Sequence, residues 1–167
     1  CEVFEDFEIT QPLLLQISVD VTNPFCPLDN SGQAVVNISG GTGPYSQIWN
    51  DMDGNPVNPN TLFAGQYEVT IIDQFNCEAS QIFNVYDPEI EPIFLFVPQD
   101  LSCLEQFSAS SSGGFGDGVW SFSGPGNIIF GNPNNQITTV QCSDYGEYEL
   151  IYTDECGLQS SILFEMN

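Results

Sequence analysis

Short runs in which apolar and polar residues alternate recur along the whole chain and are separated by turn residues. In the first half these runs cover residues 13–21, 33–39, 46–49, 66–72 and 81–86, with Asn-Pro, Gly-Gly, Asp-Gly and Ala-Gly pairs between them. Alternation with a period of two predicts strands that bury one face, and no segment of helical length has apolar residues spaced about 3.6 apart. The pattern therefore predicts an all-β chain of short antiparallel strands.

Two parts of the chain repeat the same motifs in the same order. Residues 40–45 (GGTGPY) with Trp49 match residues 113–118 (GGFGDG) with Trp120, and residues 65–73 (GQYEVTIID) match residues 146–154 (GEYELIYTD). A Trp in mid-module and a Tyr that opens a late strand are typical of an immunoglobulin-like β-sandwich, in which that Tyr forms the tyrosine corner. We therefore predict two tandem immunoglobulin-like antiparallel β-sandwiches, at residues 13–90 and 91–167, joined by the stiff, proline-spaced linker 87–92.

The first twelve residues are predicted to belong to a different module. Cys1, Phe7, Ile9 and Pro12 have the spacing C-x5-F-x-I-x2-P, which residues 77–88 repeat at the end of the first module. Residues 1–12 then form the last strand of a preceding module, or a strand that completes the sheet of a neighbouring subunit. Two other interpretations stay open, in which Cys1 is an arbitrary boundary or the lipidated first residue of an exported lipoprotein.

The six cysteines indicate disulfides. No CxxC pair and no His is present to complete a zinc site, so the chain is predicted to be exported to an oxidising compartment. Cys26 and Cys77 bracket the first repeat, and Cys103 and Cys156 bracket the second at a similar separation. If these form pairs, Cys1 and Cys142 are left over, and a bond between them, within or between chains, would fix the N-terminal strand against the second module.

Composition narrows the function classes. The 167 residues include no Lys, Arg or His and 23 Asp plus Glu, a net charge of −23. Nucleic acid and anionic membranes are excluded as partners because both are bound through cationic side chains. Imidazole, amine and guanidinium chemistry is excluded as well, which leaves carboxylates and hard cations. The hydrophobic content of 41% argues for a folded chain.

Two acidic stretches are candidate cation sites, and calcium is the candidate cofactor. Asp51, Asp53 and Asn55 have the D-x-D-G-N pattern of a calcium loop, but the position where an EF-hand has its bidentate Glu holds Leu62. A plain turn is therefore the preferred interpretation. The linker residues Asp87, Glu89 and Glu91 form the second candidate site.

Catalysis is not predicted. Carboxylate pairs could in principle cleave glycosides, but none lies at a distinctive motif and modules of this size leave little room for a cleft. Trp49 and Trp120 occupy equivalent positions in the two modules. That repetition favours core anchors over sugar-stacking platforms.

The first module resembles the SprB repeat of Bacteroidota surface adhesins and gliding proteins. The resemblance rests on Cys26, residues 40–45 with Trp49, and residues 62–67 (LFAGQY) leading to residues 73–77 (DQFNC). The second module is similar to PKD-like immunoglobulin-type domains through residues 120–126 (WSFSGPG), 132–134 (NPN) and 145–148 (YGEY). These resemblances imply a surface or adhesive role and supply no catalytic residues.

We therefore expect a non-enzymatic structural or adhesive unit of an extracellular bacterial surface fibre or giant repeat adhesin. The N-terminal strand and disulfides would link units end to end, so the expected partners are further copies or neighbouring repeat modules, with surface glycans as a further candidate. The alternative is a carbohydrate- or calcium-binding recognition module of a secreted protein.

Overall fold

In the computed structural model, residues 11–98 and 106–167 are described, and all regular elements within them are β-strands. The predicted all-β fold class is therefore confirmed. The chain divides into two compact units, Cys1–Pro88 (unit 1) and Glu89–Asn167 (unit 2). Within the described ranges no helix is long and apolar enough to cross a membrane.

Unit 1 consists of two antiparallel sheets. Strand β1 pairs with β2 in one sheet, and the other sheet has the order β3-β4-β5. The strands are β1 Gln16–Thr22, β2 Gln33–Ser39, β3 Ser46–Asp51, β4 Gly65–Ile72 and β5 Glu78–Val85. All five correspond to runs predicted from the alternation of apolar and polar residues, because each strand turns every second side chain toward the facing sheet.

The core of unit 1 lies between these sheets. Trp49 is 9% exposed and meets the ring of Phe83 edge-on, with centroids 5.8 Å apart. Tyr67 stacks on Phe83 at the same distance. The core is formed by Leu15, Ala34, Trp49, Leu62, Tyr67, Val69, Ile71, Phe83 and Val85. Trp49 is thus a core anchor, as predicted.

Unit 2 repeats this plan, with seven strands among its described residues. Its sheets have the orders β6-β7-β10-β9 and β12-β11-β8, with all pairs antiparallel. The strands are β6 Phe94–Phe96, β7 Phe107–Ser112, β8 Gly118–Ser123, β9 Ile128–Phe130, β10 Ile137–Cys142, β11 Gly146–Asp154 and β12 Gln159–Met166. Trp120 is 2% exposed and packs on Tyr152, with ring centroids 5.0 Å apart. The prediction of a core Trp is confirmed here too.

The first sheet is smaller in unit 1 than in unit 2. In unit 1 the segment beside the free edge of β2 makes only isolated bridges, Leu62 to Gly32 and Pro56 to Asn50, and the Pro59 carbonyl accepts the Ala34 N–H at 2.8 Å. Prolines lack the N–H that a ladder needs, and Pro56 and Pro59 interrupt this segment. Strand β10 has no proline and forms a regular ladder with β7.

Both units contain the predicted tyrosine corner. The Tyr67 hydroxyl donates to the Phe63 carbonyl at 3.0 Å, and the Tyr148 hydroxyl donates to the Asp144 carbonyl at 3.0 Å. Each Tyr lies near the start of the central strand of its three-stranded sheet, which is the position expected in an immunoglobulin-like sandwich. Of the predicted N-terminal strand, residues 1–12, only Gln11 and Pro12 lie within the described ranges, so this prediction stays untested.

Candidate functional site

Three segments meet at one end of unit 1, which we call the loop end: residues 11–15, 40–45 and 73–77. The carboxylate of Asp73 holds the last two together. Its Oδ1 accepts the N–H groups of Phe75 and Cys77 at 2.8 Å each, and its Oδ2 accepts the Thr42 N–H at 3.1 Å. The hydrogen bonds from Cys77, Thr42 and Phe75 outweigh burial and lower the pKa of Asp73. Asp73 is therefore an ionised clamp between two loops.

The glycine pair of the repeated motif lets the third segment approach. The Gly41 N–H donates to the Leu13 carbonyl at 2.8 Å. Gly40 has a φ of 68°, and a Cβ there would lie 2.0 Å from the Leu14 carbonyl oxygen. A side chain at this position would collide with the entering backbone, so glycine is required.

Unit 2 has the same arrangement around Asp154. Its Oδ1 accepts the N–H groups of Cys156 and Leu158 at 2.9 Å each, and its Oδ2 accepts the Phe115 N–H at 2.8 Å. Gly113, with a φ of 82°, lies against the Pro92 carbonyl as Gly40 lies against that of Leu14. Sequence reasoning found the repeated segments that end at Asp73 and Asp154 but missed what these aspartates do.

An apolar groove of about 270 Å³ opens at the loop end of unit 1. Leu13, Leu14 and Phe75 line it and are 80%, 78% and 64% exposed. Sequence reasoning missed this groove, since it assigned Leu13 and Leu14 to a strand and left Phe75 outside the predicted strands. Large apolar side chains exposed side by side are typical of an interaction surface.

The thiol of Cys77 also lines this groove, and it is free and exposed. The negative charge of Asp73, then burial and a hydrogen bond to Asp73, raise the pKa of Cys77. At neutral pH the group is accordingly the protonated thiol, which is a poor nucleophile.

The predicted bond between Cys26 and Cys77 is wrong. Cys26 is disulfide-bonded and Cys77 is free. The two residues lie at opposite ends of unit 1. Strand β5 starts beside Cys77 and spans eight residues, about 27 Å. It ends at the segment where Asp87 accepts the Leu28 N–H at 3.1 Å. A disulfide requires Cα atoms within about 7 Å.

The predicted bond between Cys1 and Cys142 is wrong as well. Cys142 is a free thiol, 2% exposed in the core of unit 2, and burial raises its pKa. Cys156 is disulfide-bonded, whereas Cys1 and Cys103 lie outside the described residues. A bond between Cys103 and Cys156 stays a prediction. The similar separation of the two bracketing cysteine pairs was misleading for Cys77. The Asp73 N–H donates to the Cys77 carbonyl at 3.0 Å, and the Asp154 N–H donates to the Leu158 carbonyl at 3.0 Å. Cys77 is therefore equivalent to Leu158 and not to Cys156.

The Asp51 loop has the geometry of a self-bonded turn. Asp51 Oδ1 accepts the N–H groups of Asp53 and Asn55 at 3.0 and 2.8 Å, and the Asn55 side-chain amide donates to both carboxylate oxygens at 3.3 and 3.0 Å. These bonds, the Asn55 amide first, lower the pKa of Asp51. Across the described ranges no three His, Cys, Asp or Glu side chains are grouped to hold a metal.

The linker carboxylates are divided between the units. Asp87 belongs to unit 1, where it bonds to Leu28, and Glu89 and Glu91 belong to unit 2. A cation held by these three residues stays a prediction, as does calcium at Asp51, Asp53 and Asn55.

Comparison with known proteins returns no matching family model and no matching curated sequence. Two similar solved structures are of immunoglobulin-domain proteins. One is the crystal structure of the N-terminal eight Ig domains of Down Syndrome Cell Adhesion Molecule isoform 1.30.30, with 12% identity, a TM-score of 0.37, and coverage of 91% of this chain and 23% of that one. The other is Dpr2 Ig1-Ig2 in complex with DIP-Theta Ig1-Ig3, with 11% identity, a TM-score of 0.34, and coverage of 89% and 64%. The chain thus spans less than two thirds of either structure, and its fold assignment rests on its own strand order and tyrosine corners.

Proposed function

We propose that the chain is a structural and adhesive segment of an extracellular bacterial surface fibre or giant repeat adhesin, in which the loop end of unit 1 binds the module that precedes it. The observation that carries this proposal is the exposed apolar groove at the loop end. It is lined by Gln11 and Pro12, the last two residues of the predicted N-terminal strand 1–12.

The groove is held on a fixed backbone. Hydrogen bonds from Gly41 to Leu13 and from Thr42 to Asp73 tie its edges together. A partner that binds an ordered surface loses less conformational entropy than one that must order it first. Exposed Leu14 and Phe75 then supply apolar contact at little ordering cost.

The occupant follows from the repeated spacing in the sequence. Residues 77–88 contain strand β5, the last strand of unit 1, and residues 1–12 have the same spacing. If residues 1–12 are the last strand of a preceding module, that module ends at Gln11 and Pro12, which line the groove. Its surface is therefore the nearest available partner.

The cellular setting is supported by chemistry and by the resemblances. The SprB-like and PKD-like motifs favour a bacterial surface protein of the Bacteroidota. Disulfide-bonded Cys26 and Cys156 fit an oxidising, extracellular location. Two consecutive copies of one sandwich suit a spacer, and a chain without Lys or Arg offers trypsin-like proteases no site.

The proposal is tested by adding a copy of residues 13–76 in front of Cys1. Residues 1–12 then stand where residues 77–88 stand in unit 1 and can complete the added module. We expect the added segment to fold and the loop end of unit 1 to gain hydrogen-exchange protection. The matched control carries the same segment behind Asn167, where no last strand follows, and should leave that segment unfolded.

Substitutions separate folding of the added module from its docking. Leu14→Gln and Phe75→Gln should remove the protection at the loop end while the added module stays folded, and Val35→Gln, on the outer face of β2, should change neither. An added segment that is unfolded in both positions would contradict the proposal. Binding of glycans by the unextended chain would instead support the recognition-module alternative.

A further inference from the structure

The four-stranded sheet of unit 2 is free of charge in a strongly acidic chain. Its strands read FLF, FSASSS, IIF and ITTVQC, without a single Asp or Glu. Each of the other three sheets carries carboxylates, for example Asp20 in β1, Glu68 in β4 and Glu149 in β11. The chain carries 23 acidic residues. A second molecule can nevertheless approach this sheet without meeting a carboxylate on its strands.

The outer face of this sheet is partly apolar. Register places Phe96, Ser110 and Ile137 side by side across β6, β7 and β10. Phe94 and Phe96 are 57% and 59% exposed, and Ile129 and Ile137 are both 67% exposed. The remaining outward positions hold Ser, Thr and Gln, namely Ser108, Ser110, Ser112, Thr139 and Gln141. We call these nine residues the neutral face.

The relief of the neutral face is self-complementary. The small serines of β7 form a shallow trough between a ridge of Phe94 and Phe96 on one side and Ile137 on the other. Neighbouring strands lie about 4.8 Å apart, so ridge and trough have matching widths. Two copies related by a two-fold axis can place each ridge in the other's trough, as an isologous interface requires.

We propose that the neutral face pairs with the neutral face of a second copy of this chain, which joins fibres side by side. A second copy is favoured over a cationic partner. The neutral face has no carboxylate to bind a cation, whereas the other sheets do. Between two copies of a polyanion, like-charge repulsion is smallest where both surfaces lack charge. The pairing is independent of the loop end of unit 1, so either proposal can fail without the other.

The size of the face sets the strength of the contact. Two strands of six residues and two of three, about 4.8 Å apart, cover on the order of 300 Å², less than half of what one partner contributes to a stable interface. One pair of chains should therefore associate weakly, and arrays of many modules should associate through avidity. Salt should strengthen pairing, because it screens the remaining carboxylates and does not oppose apolar burial.

Sedimentation equilibrium of the whole chain at rising concentration tests the proposal. We expect monomers in about 0.05 M NaCl, where the Debye length is long. In about 1 M NaCl we expect reversible dimers with a dissociation constant on the order of 1 mM. Phe96→Asp and Ile137→Asp place carboxylates inside the contact and should weaken the dimer at least about tenfold.

Leu163→Asp is the matched control. Leu163 is 75% exposed on β12, in the other sheet of the same unit, so it adds the same charge outside the neutral face and should leave the dimer unchanged. Ser110→Asp, at the centre of the face, decides the outcome if Phe96→Asp fails to fold. A chain that stays monomeric in high salt, or a dimer that Leu163→Asp weakens equally, would overturn the proposal. So would a monomeric chain that binds a neutral polysaccharide through Phe96.

Discussion

At the scale of single residues, glycines and one buried aspartate in each unit determine how the loop ends are built. Gly40 and Gly113 have positive φ and allow the carbonyl groups of Leu14 and Pro92, which precede β1 and β6, to lie close to them. Asp73 and Asp154 then connect the adjoining loops through three backbone N–H groups each. Since the chain has no cationic side chain, these carboxylates can be stabilised only by hydrogen bonds.

Replacing Gly40 by Ala should destabilise unit 1 by about 2–4 kcal/mol, because the new Cβ meets the Leu14 carbonyl in addition to the cost of a positive φ. Gly54 also has a positive φ, 84°, but nothing within 4 Å of its Cβ position. Gly54→Ala should therefore cost only about 1 kcal/mol. Urea unfolding of both variants measures the difference, and equal costs would show that the entering strand can move aside.

Replacing Asp73 by Asn should lower the melting temperature by several degrees at pH 7. The pKa of Asp73 is lower in the folded chain than in the unfolded chain. Its stabilisation is therefore complete above the unfolded value of about 3.9 and is lost as pH falls through the folded value. In thermal unfolding from pH 7 to pH 2, Asp73→Asn should lose less stability than the native chain, and the difference between the two profiles is the contribution of Asp73.

The charge-matched control for that experiment is Asp53→Asn, which removes one carboxylate from an exposed turn. It should keep the acid-dependent loss of stability. A native pH profile that Asp73→Asn leaves unchanged would show that the clamp does not depend on ionisation.

At the scale of elements, the two units use the same central hairpin. Tyr67 faces Phe83 in the register of β4 and β5 as Tyr148 faces Phe164 in β11 and β12. In each hairpin the Tyr hydroxyl makes the hydrogen bond of the tyrosine corner near the start of the central strand. The aspartate clamp lies at the other end of that strand. The hairpins therefore behave as equivalent parts, even though the sheets that face them differ in strand number.

Tyr67→Phe and Tyr148→Phe should each cost about 1 kcal/mol, the value of one hydrogen bond whose acceptor remains near water. Both rings stay in place, so the cores are preserved. Equilibrium unfolding in urea should show similar losses for the two variants, and the double variant should lose about their sum because the sites lie in different units. A loss confined to one variant would contradict the equivalence of the corners.

Short-range pattern was sufficient for the strands, the repeat, the tyrosine corners and the buried Trp49 and Trp120. Each of these depends on residues a few positions apart. The Cys26–Cys77 bond was wrongly predicted this way, because pairing depends on which end of the sandwich a cysteine occupies, and Cys26 and Cys77 occupy opposite ends. The apolar groove was missed for a similar reason, since the exposure of Leu13 depends on how the segment 11–15 packs against the Gly40 loop.

At the scale of the whole molecule, charge of one sign dominates. A net charge of −23 without any cation means that every long-range charge interaction within the chain is repulsive. Salt reduces this repulsion over a Debye length of about 8 Å at 0.15 M. Stability must accordingly come from the two cores, the hydrogen bonds of strands and loops, and the disulfides formed by Cys26 and Cys156.

Raising NaCl from about 0.05 to 1 M should raise the melting temperature of both units, since screening removes repulsion that unfolding would otherwise relieve. Calcium and magnesium at equal ionic strength should raise it by equal amounts, because the Asp51 carboxylate is already bonded to Asn55. Differential scanning calorimetry compares the two ions. A gain specific to calcium that Asp51→Asn abolishes would establish a calcium site at this turn.

The free thiols of the described residues can report local unfolding of the two units. Cys77 in unit 1 is exposed and Cys142 in unit 2 is 2% exposed. An alkylating reagent should modify the exposed Cys77 faster than the buried Cys142, although the raised pKa of Cys77 slows its reaction. It should reach Cys142 only in molecules whose second core has opened, so the rate of Cys142 alkylation reports that opening in native conditions. Stretching an immobilised chain should accelerate the alkylation of Cys142 and leave that of Cys77 unchanged. The rate at Cys142 would then report the mechanical load on unit 2.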